Sequence, residues 1–313
     1  MTLLPGLWQI PLAIGPAGQK NGEVMKITLR QQETDRCRGS AGVAMRVMLI
    51  AAAWLGVLPM AAATGMASAR GDGERPLIAA AATLQFALED IAAQFARDTG
   101  HQLRLAFGSS GNFARQIRQG APYELYLSAD EDYVLDLERD GFTRDRGTLY
   151  AVGRIVVMTP HGSTLAADGQ LEALSQALER VEISRFAIAN PEHAPYGKRA
   201  EEALRHAGLW ARIQPYLVLG ENVSQAAQFA ASGNAEGGII SYSLAMAPTV
   251  SARGRYELIP QEWHSPLRQR MVLLPNAGPI AARFYDYMQQ PPARRVLERY
   301  GFMLPPEVND GAQ

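Results

Sequence analysis

Cysteine is nearly missing: Cys37 is the only one in 313 residues. A chain exported without its leader would carry no thiol at all, which removes disulfide scaffolding and thiol catalysis together. Charge of one sign is also missing, with 30 Lys and Arg against 31 Asp and Glu. No basic run interleaved with aromatics occurs either, so the electrostatic footprint of a nucleic-acid partner is absent. Histidine is sparse, and the five (His101, His161, His193, His206, His264) stand singly, without the pairing that marks a transition-metal site. Each is expected at the surface, and neither a cofactor nor a direct metal ligand is expected. What remains is an ordinary globular composition, 47% hydrophobic, in a chain long enough for two lobes with their own cores.

The longest apolar run has a specific context. From Met45 the chain reads MRVMLIAAAWLGVLPMAAATGMASARG: a basic Arg46, an apolar core from Val47 to Leu58, then the small-residue site Ala67, Ser68, Ala69. That order predicts a secretory signal peptide over 45–69, cleaved after Ala69. The apolar core is short for a membrane span, and no Cys follows it to take a lipid anchor. Residues 1–44 show neither helical nor strand periodicity and read as an over-extended start or a disordered leader.

Beyond residue 75, short apolar strands alternate with amphipathic helices, the pattern of an α/β protein with mostly parallel sheets. Strands are expected at Leu77 to Ala82, Leu103 to Phe107, YELYLSAD, RIVVMTP, Phe186 to Ala189, Tyr216 to Leu219 and GGIIS. Helices are expected over Leu84 to Thr99, Phe113 to Gln119, Glu131 to Arg139, Lys198 to Ala207 and Val223 to Ala231. No Pro/Gly/Ser-rich tether separates two halves, so the lobes are expected to be joined by crossing strands.

The stretch from Leu77 to Gly120 twice runs an apolar strand into a hydroxyl-bearing turn that opens a helix, first at Thr83 and then at Ser110. The first N–H groups of a helix lack internal partners and carry the positive end of its dipole, so two such turns aimed at one spot cradle an anion. Plain N-capping would use the same residues. A serine hydrolase built on Ser109 or Ser110 is disfavoured, because FGSSGN is not a G-x-S-x-G elbow and no histidine has a convincing partner in sequence.

Five segments in order, AAATLQFALEDIAAQF, FGSSGNFARQIRQGAPYELYLSAD, NPEHAPYGKRAEEAL, GENVSQAAQFAASGNAEGGII and FYDYMQQPPARRVLERYGF, resemble the periplasmic molybdate-binding proteins of ABC transporters. The resemblance implies a two-lobed periplasmic binding protein fold of type II, each lobe a mostly parallel sheet flanked by helices. Lobe one would comprise 76–153 plus 261–306, and lobe two 154–260. It implies a periplasmic, non-enzymatic monomer that takes molybdate or tungstate as an oxyanion and passes it to an inner-membrane permease with a cytoplasmic ATPase. A carrier of sulfate or another small anion, or a ligand-sensing partner of a membrane receptor, would use the same scaffold.

Carried over by motif, the family's ligand contacts fall on Thr83, Ser110, Tyr196 and Val223, all at expected helix starts. A fifth position departs. Many relatives have a tyrosine after the strand that here reads GGIIS, whereas this chain aligns Ser241 there and shifts Tyr242 by one, to the opposite side. Ser241 would then donate its own hydroxyl or leave room for water, and Tyr196 becomes a second source of the phenol. Lys198, Arg115 and Arg118 are expected to point into solvent.

Overall fold

The computed structural model describes residues 75–305. The expected signal peptide, its cleavage point and the leader lie outside the described residues.

The chain first lays down β1 (Leu77–Ala81), α1 (Gln85–Thr99), β2 (Arg104–Gly108), α2 (Ser110–Arg118), β3 (Leu125–Ser128), α3 (Glu131–Arg139) and β4 (Thr148–Gly153). It then builds β5 (Ile155–Pro160), α4 (Glu172–Glu179), β6 (Phe186–Ala189), α5 (Pro195–His206), α6 (Trp210–Ile213), β7 (Leu217–Gly220), α7 (Val223–Ala231), β8 (Gly237–Ser241), α8 (Tyr242–Ala245), α9 (Pro248–Ser251) and β9 (Gly254–Leu258). It closes with β10 (Leu267–Leu273), α10 (Pro279–Met288) and α11 (Pro291–Arg299).

These elements form two five-stranded sheets, ordered β2-β1-β3-β10-β4 and β7-β6-β8-β5-β9. Each is mostly parallel, with four strands running one way and one reversed strand that makes it mixed. β1 pairs parallel with β2 and β3, and β6 with β7 and β8, whereas β10 and β5 run antiparallel to both of their neighbours. The parallel pairs follow from strand–helix–strand units, and the antiparallel ones arise where the chain leaves or re-enters a lobe.

The period-2 pattern explains the layering of the first sheet. Ile78 and Ala80 pack with Phe95, Phe284 and Leu297 on one face, while Ala79 packs with Phe113, Ile117 and Leu137 on the other. α1 follows its helical stripe, burying Leu88, Ile91 and Phe95 and ending on Gly100 in the left-handed region at φ 74°. The second sheet has its own core around Val156, Phe186, Ile188, Leu204 and Ile239.

Two crossings join the lobes. The first is tight, since Arg154 alone stands between β4 and β5. The second runs from β9 to β10. The crossings touch, because the Ile259 N–H donates to the Ile155 carbonyl at 3.1 Å.

Candidate functional site

Four strand-to-helix turns converge between the sheets. β1 leads into a single 3-10 turn, Ala82–Leu84, that holds Thr83. β2 leads into α2 at Ser110, the loop after β6 into α5 at Pro195, and β7 into α7 at Val223. Pro195 at the first helical position has no N–H to waste, and its fixed φ prepares the helix start. Asn222 caps α7 by accepting from Ser224 and Gln225 N–H, which leaves the Val223 N–H outside that cap.

Thr83, Ser109, Ser110, Pro195, Tyr196, Asn222 and Val223 line one small cavity, together with Gly108 and alanines 81, 82, 129 and 194. No charged side chain is among the lining residues. The wall therefore consists of hydroxyls, helix-start N–H groups and methyls, a donor-rich surface without a carboxylate to repel an anion or accept from an acid.

The hydroxyls are already ordered by neighbours. Ser110 Oγ accepts the Ala129 N–H at 3.0 Å, so its own proton is left to donate. Thr83 Oγ1 lies 2.8 Å from Ser243 Oγ, and Ser243 also reaches the Thr83 carbonyl at 2.9 Å and Ser241 Oγ at 3.2 Å. Each hydroxyl has one proton: while Ser243 gives its proton to the Thr83 carbonyl, Thr83 Oγ1 is the donor to Ser243 Oγ, and Thr83 can turn its proton to the cavity only when Ser243 donates to Thr83 Oγ1 instead. Tyr196 accepts from Gln269 Nε2 at 2.9 Å, and Gln269 in turn accepts from the Tyr150 phenol at 2.9 Å. Burial drives the Tyr196 pKa well up, against opposing hydrogen bonds from Thr83 and Gln269, so the phenol stays protonated. Gly153 makes room for it: a Cβ there would collide with the Tyr196 hydroxyl.

Several contacts cross from one sheet's lobe to the other. The Gly111 N–H donates to the His193 carbonyl at 2.9 Å, and Ser224 Oγ donates to the Ala82 carbonyl at 3.0 Å. Gly111 is forced to be small, since a Cβ would stand 2.7 Å from that same His193 oxygen. Asp130, the cap of α3, meets Arg199 of α5 at 2.9 Å in a pair whose side chains are only 10% and 6% exposed. Burial raises the Asp130 pKa, and the Arg199 guanidinium opposes that shift. Arg199 also pairs with Glu202 at 2.9 Å, yet its Nε is buried without a partner.

The structure thus brings Thr83, Ser110, Tyr196 and Val223 to one cavity, and sets Ser241 behind it. Ser241 is fully buried and caps α8, accepting the Leu244 N–H at 3.3 Å, and it reaches the cavity wall only through Ser243. Lys198, Arg115 and Arg118 are exposed, as their positions imply. Two histidines depart from the surface expectation: His193 is 9% exposed and His264 is 8% exposed. His193 is drawn in by the cross-lobe contact of its carbonyl. His264 lies where the chain crosses back to β10, its Nδ1 2.9 Å from the Ser265 carbonyl. Sequence reasoning also missed a partner for His193, whose Nδ1 lies 2.9 Å from Ser109 Oγ and whose Nε2 lies 3.7 Å from Glu221 Oε2. Nothing local signals that trio, because Ser109 and His193 are 84 residues apart.

Residues 76–303 match the family of bacterial extracellular solute-binding proteins. A molybdate-binding protein of Azotobacter vinelandii is 34% identical over 251 residues, covering 79% of this chain and 97% of the relative. The chain belongs to the bacterial extracellular solute-binding proteins. Another relative of this solute-binding protein, a molybdate-binding protein of Rhodobacter capsulatus, is 33% identical over 79% of this chain and 95% of its own length. The solved periplasmic molybdate-binding protein of Azotobacter vinelandii shares the architecture at a TM-score of 0.68 and 30% identity, over 74% of this chain and all of that one. The two mixed, helix-flanked sheets are the two-lobed binding-protein fold of type II. Membership of the family implies a binding role rather than catalysis.

Proposed function

We propose that this solute-binding protein captures molybdate, and tungstate with it, between its lobes in the periplasm and delivers the anion to an inner-membrane ABC permease driven by a cytoplasmic ATPase. Supporting this is the similarity to molybdate-binding proteins over 79% of the chain. The observation that carries the reading is a cavity lined by hydroxyls and helix starts and by no charged side chain.

Thr83 and Ser110 each offer a hydroxyl and a backbone N–H, and Tyr196 and Val223 offer backbone N–H groups. The Tyr196 phenol, adjacent to Thr83, supplies the phenol that Ser241 lacks, while Ser241 holds Ser243 in place behind Thr83. A fully deprotonated tetrahedral oxyanion only accepts hydrogen bonds, so a donor-rich wall without a carboxylate suits it. A protonated phosphate would bury an O–H without an acceptor, at a cost of roughly 1 to 3 kcal/mol, or about ten- to hundredfold in affinity. Sulfate also accepts only, and is discriminated by size, because its shorter bonds underfill a donor ring set by closed lobes.

Ligand that binds only the folded, closed protein stabilises it by RT ln(1 + [L]/Kd), about 4 kcal/mol at a thousandfold excess. Thermal unfolding of residues 70–313 with molybdate, tungstate, sulfate and phosphate in turn tests the proposal. A large rise in Tm with the first two alone is expected. A rise with sulfate alone would reassign the ligand, and no rise with any of the four would leave only the fold.

A further inference from the structure

Ser109 is a hydroxyl of the cavity wall whose partner is an ionisable ring, able to reverse the direction of their hydrogen bond by taking up a proton. It precedes α2 but makes no side-chain cap there, and instead its Oγ lies 2.9 Å from His193 Nδ1 across the lobes. On the far side of the ring, Nε2 lies 3.7 Å from the Glu221 carboxylate. Neutral imidazole can donate from one nitrogen only. With the proton on Nε2, facing Glu221, Nδ1 accepts the Ser109 O–H, and Ser109 turns lone pairs to the cavity. Cationic imidazolium donates from both nitrogens, so Nδ1–H goes to Ser109 Oγ and the serine proton becomes available to the cavity.

We infer that His193 is a positioning residue of the anion site, which takes up a proton as a dianion binds and thereby turns Ser109 from an acceptor into a donor, with Glu221 supporting the imidazolium. The inference rests on the oxyanion reading above. Two charges favour proton uptake: the dianion beyond Ser109 and the Glu221 carboxylate beyond Nε2. Glu221 is itself held by Asn112, which accepts from Arg115, both on α2. Glu192 neighbours His193 in the chain, and Tyr133 of α3 approaches the same Gly111 position as the His193 carbonyl, with Asp130, Arg115, Arg199 and Asp132 acting on it in turn. The His193 ring is placed by its backbone, whose carbonyl is tied to the Gly111 N–H whatever the ring's charge.

The coupling predicts that molybdate affinity rises as the pH is lowered. One neutral contact becoming one donor to an anion corresponds to about a tenfold change in Kd between pH 8 and pH 6. Isothermal titration calorimetry of residues 70–313 with molybdate, in buffers of different ionisation enthalpy, reads proton uptake directly alongside Kd. Uptake of a fraction of a proton near pH 7 is expected. In His193→Asn, a side-chain amide can donate to Ser109 at every pH, so binding persists while the uptake and the pH dependence vanish. Ser109→Ala removes the hydroxyl that the ring orients, and should flatten the pH profile even if His193 variants fold poorly. Glu221→Gln should shift the profile to lower pH. Tight molybdate binding with no proton uptake and a flat profile in the unsubstituted protein would overturn the inference while leaving the oxyanion reading intact. Absence of molybdate binding at every pH would remove both.

Discussion

The two lobes meet the same cavity with different chemistry. Lobe one brings hydroxyl side chains, Thr83, Ser109 and Ser110, on turns that follow β1 and β2. Lobe two brings Pro195, Tyr196, Asn222 and Val223, which offer the main-chain N–H groups of Tyr196 and Val223 at the starts of α5 and α7, with the Tyr196 phenol beside them. Side-chain donors can be lost one substitution at a time, whereas main-chain donors survive most substitutions and fail only when the backbone shifts. On the oxyanion reading proposed above, residue identity should govern affinity in lobe one and geometry should govern most of it in lobe two.

The largest test severs the two halves from each other. Asp130→Ala removes one acid of a buried cross-lobe cluster and also the cap of α3, leaving the buried Arg199 to Glu202. A loss of about 3 to 5 kcal/mol in unfolding free energy is expected, measured by urea denaturation. Asp130→Asn keeps one oxygen, which can still cap the Asp132 N–H but faces Arg199 without a charge, so it should lose less than Asp130→Ala, and no loss of stability in either variant would deny the pair its role.

A paired substitution addresses the comparison itself. Ser110→Ala deletes a hydroxyl donor and leaves the Ala129 N–H without its acceptor. Molybdate affinity is expected to fall roughly ten- to hundredfold, read by calorimetry. Val223→Thr retains the shape and the main-chain N–H, and should change affinity by about twofold or less. If Val223→Thr proved the more damaging, the division between side-chain and main-chain lobes would be wrong.

How much of this was legible in the sequence follows the same division. The turns at Thr83 and Ser110 announce themselves, because a strand, a hydroxyl and a helical stripe are contiguous in the chain. The lobe-two contacts at Tyr196 and Val223 came only through resemblance, since a main-chain donor leaves no signature in residue type. β10 was not read as a strand at all. LRQRMVL alternates with charge, yet it lies in the interior of the first sheet with Gln269 fully buried, because that side chain is spent on Tyr150 and Tyr196. The mostly parallel sheets were legible, but the one reversed strand in each was not: antiparallel pairing is set by where the chain crosses between lobes, and periodicity carries no strand direction. The Ser109, His193 and Glu221 constellation required the closed fold.

The smallest expected effect concerns pH and the second crossing. Burial holds the His264 imidazole below its ordinary range, despite the opposing Ser265 carbonyl. A lowered folded pKa means that the unfolded chain binds the proton first, so the stability this residue contributes is present above about pH 6.5 and declines as pH falls below it. Tm followed from pH 7.5 to 5.5 should decline, and His264→Gln should decline less over the same interval.

The paired crossings carry a mechanical consequence. Arg154 is the sole residue between β4 and β5, and the Ile259 N–H clasps the Ile155 carbonyl beside it. Two short strands clasped side by side cannot lengthen and resist twisting about their common direction, so bending across the ribbon is the soft motion that remains. Bending of that kind would swing the lobes like covers on a spine. A few degrees at the spine become several ångströms at the far rims, and a partner spanning those rims can sense the anion as a distance without touching it.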